Sequence, residues 1–208
     1  MVTGVFLVFE GLDGSGKTLQ ALKLADWVFS TYKRVDHVLV TREPTHSKFG
    51  LELRQRLAQK SDDPTTSKER FQELFTLDRE EHVDSVIAPA LAKGTIVIGD
   101  RYKHSTIAYQ SAQGMSTQRI MDDNAGFPVP ALTLIFNLPV DVAVSRLEKS
   151  GRPAELFEKK DFLEKVKALY AKMPQLLPKE KIALINANQS IEQVHADVIN
   201  AVKPLIDA

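Results

Sequence analysis

The sequence contains no cysteine. Disulfides, thiolate catalysis and cysteine-ligated zinc are therefore excluded. It also lacks net charge, since 27 Lys and Arg balance 27 Asp and Glu. That removes any global electrostatic basis for binding nucleic acid or an anionic membrane, while leaving room for a local anion site. No apolar run approaches the roughly 18 residues of a membrane span. The N-terminal MVTGVFLVFE has neither a basic segment nor a long apolar one. It reads as a buried strand and not as a signal peptide, so a cytoplasmic location is expected. Repeats, low-complexity tracts and obvious linkers are missing too. At 208 residues, one domain with a substantial core is expected.

What is present is alternation. Apolar runs at 5–9, 37–40, 95–98, 133–136 and 182–185 read as strands, most of them apolar enough to be buried on both faces. Helical patterns span 18–32, 49–59, 67–92, 140–149, 157–173 and 191–206. Strands alternating with helices predict an α/β fold: a doubly wound parallel sheet with right-handed crossovers. Ligands in such sheets gather at the carboxyl ends of the strands.

After the first strand comes Gly11-Leu12-Asp13-Gly14-Ser15-Gly16-Lys17-Thr18, a match to the phosphate-binding loop G-x-x-x-x-G-K-[ST] in its strand–helix context. Glycines let the backbone curl around phosphate oxygens, and the following helix adds its positive dipole end. Lys17 is placed for the β- and γ-phosphates and Thr18 for Mg²⁺. Switches, motors and kinases share this loop. A GTPase should also carry N-K-x-D, which is missing; Asp123–Gly126 matches D-x-x-G but does not end a strand. Motor and clamp ATPases usually need longer chains.

The second strand ends in Thr41-Arg42-Glu43-Pro44. Pro44 disfavours helix at Glu43, so Arg42 stands on an extended segment, where it either grips a phosphate or pairs with Glu43. The third strand ends in Gly99-Asp100-Arg101-Tyr102. Asp100 suits Mg²⁺ and Arg101 a second phosphate, the alternative being a buried Asp–Arg pair. Phe75 and Arg79 are four apart on one helix face. They either stack on and bond a base, or are a core Phe and a solvated Arg. Gly151-Arg152-Pro153 is either a lid delivering an arginine or a helix end with an exposed one.

Taken together, the segments FEGLDGSGKT (9–18), TREP (41–44), LFTLDREEH (74–82), PALAKGTIVIGDRYKHSTIAYQ (89–110), SRLEKSGRPAELFE (145–158) and INANQSIEQV (185–194) resemble the thymidylate kinases, over nearly the whole chain. The DRY-x-x-S-x-x-A-Y-Q block discriminates best, because P-loop proteins generally lack it. The resemblance implies a P-loop NTPase fold with a five-stranded parallel sheet, one domain over 1–208 with a lid around 148–160, and a homodimer. It implies transfer from MgATP to dTMP, with Lys17, Arg101, Arg152 and Asp13 catalytic and Thr18 and Asp100 on the metal. Phe75 would stack on thymine and Arg79 bond its edge; Ser105 and Gln110 would line the base pocket. Arg42 and Arg101 would hold the dTMP phosphate. Tyr109 would oppose a ribose 2′-hydroxyl, and Asp13 would meet the 3′-hydroxyl or the metal region. Gly14 in the loop with Arg152 in the lid resembles one of the family's two arrangements, the other placing a basic residue in the loop. The sequence departs from the family pattern at Thr45–Lys48, Ala131 and Asn137.

Two other functions remain. Another nucleotide or deoxynucleoside kinase, such as a nucleoside monophosphate kinase of broader specificity, would keep the loop and change the acceptor; Phe75, Arg79 and Tyr109 speak against it. An ATP-binding regulatory protein would have no acceptor, and Arg42 and Arg101 speak against that.

Overall fold

A computed structural model of the chain describes residues 4–58, 68–151 and 159–207. Five strands, β1 (Phe6–Gly11), β2 (Val38–Arg42), β3 (Ile96–Asp100), β4 (Leu132–Asn137) and β5 (Ile182–Asn186), form one sheet in the order β2-β3-β1-β4-β5. Every pairing is parallel. This is the α/β architecture predicted from the alternation of strand and helix.

Side chains along β1 alternate between the two faces. Leu7 and Phe9 join the larger core with Leu24 and Val28 of α1 (Lys17–Thr31), Val166 of α8 (Lys160–Leu176) and Val198 and Val202 of α9 (Ile191–Asp207). Phe6 and Val8 face the opposite way, packing with Val97, Tyr102, Val83 and Ile87. Each such buried aliphatic or aromatic side chain contributes about 1.5–3 kcal/mol. A smaller cluster, Leu53, Phe71 and Leu74, joins α2 (Lys48–Ala58) to α3 (Lys68–His82). No helix among the described residues is long and apolar enough to cross a membrane.

The pattern at 67–92 is not one helix. After α3 a π-helical turn, Val83–Ile87, leads into α4 (Ala88–Ala92), and the N–H of Ala88 reaches five residues back to Val83 O. The extra residue is absorbed just ahead of Pro89, which has no N–H to offer a regular turn. Two further helices have no counterpart in the apolar pattern: α5 (Lys103–Ala112) and α6 (Thr117–Asp123). Buried Lys103, His104, Thr106 and Gln110 give α5 a polar inner face, which hides it from a reading based on apolar spacing. The remaining helix is α7 (Val140–Lys149). All five strands run one or two residues past the apolar run, taking in Glu10, Arg42, Asp100, Asn137 and Asn186 at the carboxyl edge.

Candidate active site

The loop after β1 turns on glycines that no other residue can replace without strain. Gly11 has φ +141° and a Cβ there would lie 2.7 Å from Phe136 O; Gly14 has φ +79° and its Cβ would lie 2.5 Å from Ala143 O. Position 14 therefore has no room for a basic side chain. The loop ends by delivering the Lys17 ammonium inward, where it donates to Leu12 O at 3.2 Å and Asp13 Oδ1 at 3.3 Å. Burial, and then the nearby Arg101 charge, lower the Lys17 pKa, with Asp13 and Asp100 opposing.

Parallel register brings Arg42 beside Asp100. Thr18 Oγ1 donates to Asp100 Oδ2 at 2.5 Å, and Arg42 NH2 lies 3.3 Å from that same oxygen and 3.4 Å from Thr18 Oγ1. Asp100 Oδ1 is buried and has no hydrogen-bond partner among the described residues. A hydroxyl and a carboxylate oxygen at one point are hard donors of the kind Mg²⁺ uses when phosphates supply the rest. Among the described residues no group of three or more His, Asp or Glu side chains makes a separate metal centre.

Arg101 stands at φ +73°, a left-handed conformation unusual for a side-chain-bearing residue. Its NH2 donates to Asp13 Oδ1 and its NH1 to Ser105 Oγ, both at 2.8 Å, and its guanidinium lies 5.4 Å from the Tyr109 ring centre. Burial works against the Arg101 charge, yet Asp13, Tyr109, Tyr170 and Glu10 hold its pKa well above the ordinary value. Burial pushes the Tyr109 hydroxyl up, with Arg101 pulling the other way. The pairings differ from both sequence alternatives. Arg42 meets Asp100 and not Glu43, and Arg101 meets Asp13 and not Asp100.

Asp13, Lys17, Thr18, Arg42, Asp100, Arg101, Ser105, Tyr109 and Phe75 line one cavity of about 450 Å³. Phe75 comes from α3, and its ring stacks on Phe71 at 6.4 Å. Gly11, Leu12, Gly14, Ser15 and Gly16 form the loop that places Lys17 and Thr18.

Arg79 is not among the lining residues. Far from being solvated, it is 1% exposed. It donates to Glu43 Oε2 and Asn124 Oδ1 at 2.6 Å and to Thr106 Oγ1 at 3.0 Å. Its Nε is buried with no hydrogen-bond partner among the described residues. Gln110 is fully buried away from the cavity lining, and neither amide atom has a hydrogen-bond partner among the described residues. Arg152 lies outside the described residues, as does most of the expected lid.

Five lining residues were not singled out from sequence as site residues: Glu43, Pro44, Arg54, Leu57 and Ala58. Arg54 donates to Pro44 O and Thr45 O, fastening α2 to the segment that carries Arg42. Leu57 and Ala58 follow Arg54 at three and four residues, the spacing of one helix face, but ordinary residues at ordinary spacing carry no motif. The departure at Thr45–Lys48 has a local role. Thr45 Oγ1 and Ser47 Oγ donate to Asp78 Oδ1 at 2.5 and 2.6 Å, and Thr45 N to Oδ2 at 2.9 Å.

A family model described as thymidylate kinase matches residues 9–198. A protein of Pyrococcus abyssi named "Probable thymidylate kinase" is 40% identical over 202 residues, covering 96% of both chains. A thymidylate kinase of Desulfotalea psychrophila is 39% identical over 204 residues, 98% of this chain and 96% of the relative. One of Xanthomonas euvesicatoria pv. vesicatoria is 36% identical over 95% of this chain and 84% of its own. With a match of this extent over a phosphate-binding loop, two arginines and an aromatic ring around one cavity, the chain belongs to the thymidylate kinase family.

Proposed function

We propose that this protein transfers the γ-phosphoryl group of ATP to dTMP, yielding dTDP and ADP for dTTP synthesis. The observation that carries the reading is the convergence of two sets of cationic side chains on one cavity, Lys17 as one and Arg42 with Arg101 as the other, beside the rings of Phe75 and Tyr109. A site for ATP hydrolysis alone has no use for the second set.

Both substrates are anions, so the barrier is dominated by charge repulsion and alignment. Lys17 neutralises the donor phosphates, and Arg42 and Arg101 orient the acceptor phosphate bidentately. Its oxygen is already ionised near neutral pH, so no strong base is required. That oxygen forms a bond to the γ-phosphorus as the bond to the β–γ bridging oxygen breaks, and ADP leaves with the electron pair. Thr18 and Asp100 are the residues that would hold Mg²⁺, which supplies charge neutralisation to the phosphates when bound.

Phe75 stacks on thymine. Arg79 as the residue that bonds the base edge and Gln110 as part of the base pocket rest on the family resemblance alone, since neither lines the cavity. Tyr109 opposes a 2′-hydroxyl, Ser105 supports the pocket, and Asp13 meets the 3′-hydroxyl or the metal region. Arg152 reaches the transferring group from a lid around 148–160, closing the site to water. The lack of room for a basic side chain at Gly14 supports that division of labour. The working unit is a homodimer of single-domain chains (1–208) in the cytoplasm, without a nucleic-acid or membrane partner. Sedimentation at micromolar concentration tests the dimer.

The test of function is ADP formation from MgATP with dTMP, dUMP, UMP, CMP, dGMP, AMP or no acceptor. Stimulation mainly by dTMP is the expected result. Equal stimulation by several monophosphates would leave a kinase of broader acceptor range, and none by any acceptor would favour a regulatory ATP-binding protein.

A further inference from the structure

Glu10, the carboxylate closing the apolar run of β1, is fully buried and belongs to no part of the chemistry above. A buried carboxylate is retained only where donors surround it. Oε1 accepts from the N–H of Tyr102 at 2.7 Å and of Ser105 at 3.1 Å. Oε2 accepts from Ser105 Oγ at 2.6 Å and Tyr170 OH at 2.9 Å. The His104 ring adds Nδ1 at 3.8 Å from Oε1.

Three of these four hydrogen bonds come from Tyr102 and Ser105, directly after Arg101. Helix α5 has no side-chain cap from its own N-cap residue, and Glu10 caps it from β1, accepting from the N–H of Tyr102 just before the helix and of Ser105 in its first turn. Arg101, immediately before, holds the left-handed φ of +73°, which persists only where the surroundings determine it. Beyond the backbone there is a direct relay. Ser105 Oγ gives its proton to Glu10 and so presents only lone pairs to Arg101 NH1, 2.8 Å away.

We propose that Glu10 is the positioning residue for Arg101. It acts through the Ser105 hydroxyl and the N–H groups of Tyr102 and Ser105, and does not touch the substrate. The proposal rests on Arg101 gripping the acceptor phosphate, as inferred above. Glutamine at this position has nearly the same volume but opposite polarity on one side. With its oxygen on the two N–H groups, its amide N–H would point at Ser105 Oγ and compete with Arg101 for the same lone pairs.

The experiment compares dTMP with thymidine, which lacks the phosphate, as ligands of purified wild-type, E10Q, S105A and R101A protein, with thermal unfolding to confirm folding. E10Q should weaken dTMP binding about tenfold, leave thymidine binding unchanged, and lower kcat with an unchanged KM for MgATP; S105A, which also removes a side chain lining the cavity, should weaken dTMP binding by a larger factor than thymidine binding. Equal weakening of dTMP and thymidine would mark Glu10 as merely structural and overturn the proposal. Should E10Q fail to fold, S105A decides by that ratio, since it breaks the same relay: a loss of dTMP binding no larger than that of thymidine would overturn the proposal. R101A is the reference. If it binds dTMP as wild type does, the assignment of Arg101 falls and takes the proposal with it. If R101A loses dTMP selectively and neither E10Q nor S105A does, only the positioning role is overturned.

Discussion

Thr18 and Asp100, 82 residues apart, meet with Oγ1 2.5 Å from Oδ2. One ends the phosphate-binding loop and the other ends β3. They meet because β1 and β3 are hydrogen-bonded neighbours in parallel register, with Phe9 opposite Asp100. Arg42 reaches the same oxygen from β2. Parallel pairing therefore converts three distant strand ends into one charged edge, and the proposed chemistry follows from that edge.

Replacing Phe75 with Ala should weaken dTMP binding by about 1–3 kcal/mol, the usual contribution of one base–aromatic stack. Titration of dTMP into both proteins checks this. Binding of ATP should be unaffected, because the role proposed for Phe75 is on the acceptor.

Arg152→Ala should lower kcat by roughly 10³–10⁵ if the side chain meets transition-state charge, with little change in KM for dTMP. Steady-state kinetics over both substrates separates the effects. Parallel loss of ATP affinity and turnover would argue against the lid role.

Glu43 and Arg79 form a buried pair, 3% and 1% exposed. Glu43→Ala strands the guanidinium and should cost about 3–5 kcal/mol of stability. Urea unfolding measures it. The double replacement E43L/R79M, which removes both charges, should be less damaging than E43A alone.

Glu180 accepts from His104 Nε2 at 2.9 Å and from Lys103 Nζ at 2.8 Å. Burial raises its pKa, but the two bonds prevail and the net shift is downward. A carboxylate whose folded pKa is depressed contributes stability above its unfolded value, about 4.3 for Glu, and loses it as pH falls through the lower folded value. Unfolding free energy should therefore drop below about pH 4.3 in the wild type, and less steeply in E180Q. Urea titrations at several acidic pH values test the difference.

The central strands were legible because Phe6–Phe9 and the apolar residues of β3 and β4 are buried on both faces, which leaves a continuous apolar signature; the edge strands β2 and β5 are apolar but only partly buried. The charged last residues of β2 and β3 fall outside the apolar runs, because Arg42 and Asp100 end the ladder with side chains that line the cavity. Helix α5 was hidden by polar residues turned inward. The phosphate loop, Arg42 and Arg101 were legible as one carboxyl edge because their backbone requirements and charge restrict residue choice; Arg54, which lines the same cavity without a motif, was not. Arg79 shows the limit. Helical spacing puts it on the face of Phe75, but its partner Glu43 lies 36 residues away, and no local pattern encodes that pair. The same holds for Glu10, whose donors lie 92 to 160 residues on.

The most direct measurement follows the phosphorus itself. With [γ-³²P]ATP, Mg²⁺ and dTMP, the account predicts label in the β-phosphate of dTDP at a rate that rises with dTMP and disappears in the R101A protein. Label released as inorganic phosphate, at a rate indifferent to dTMP, would contradict it.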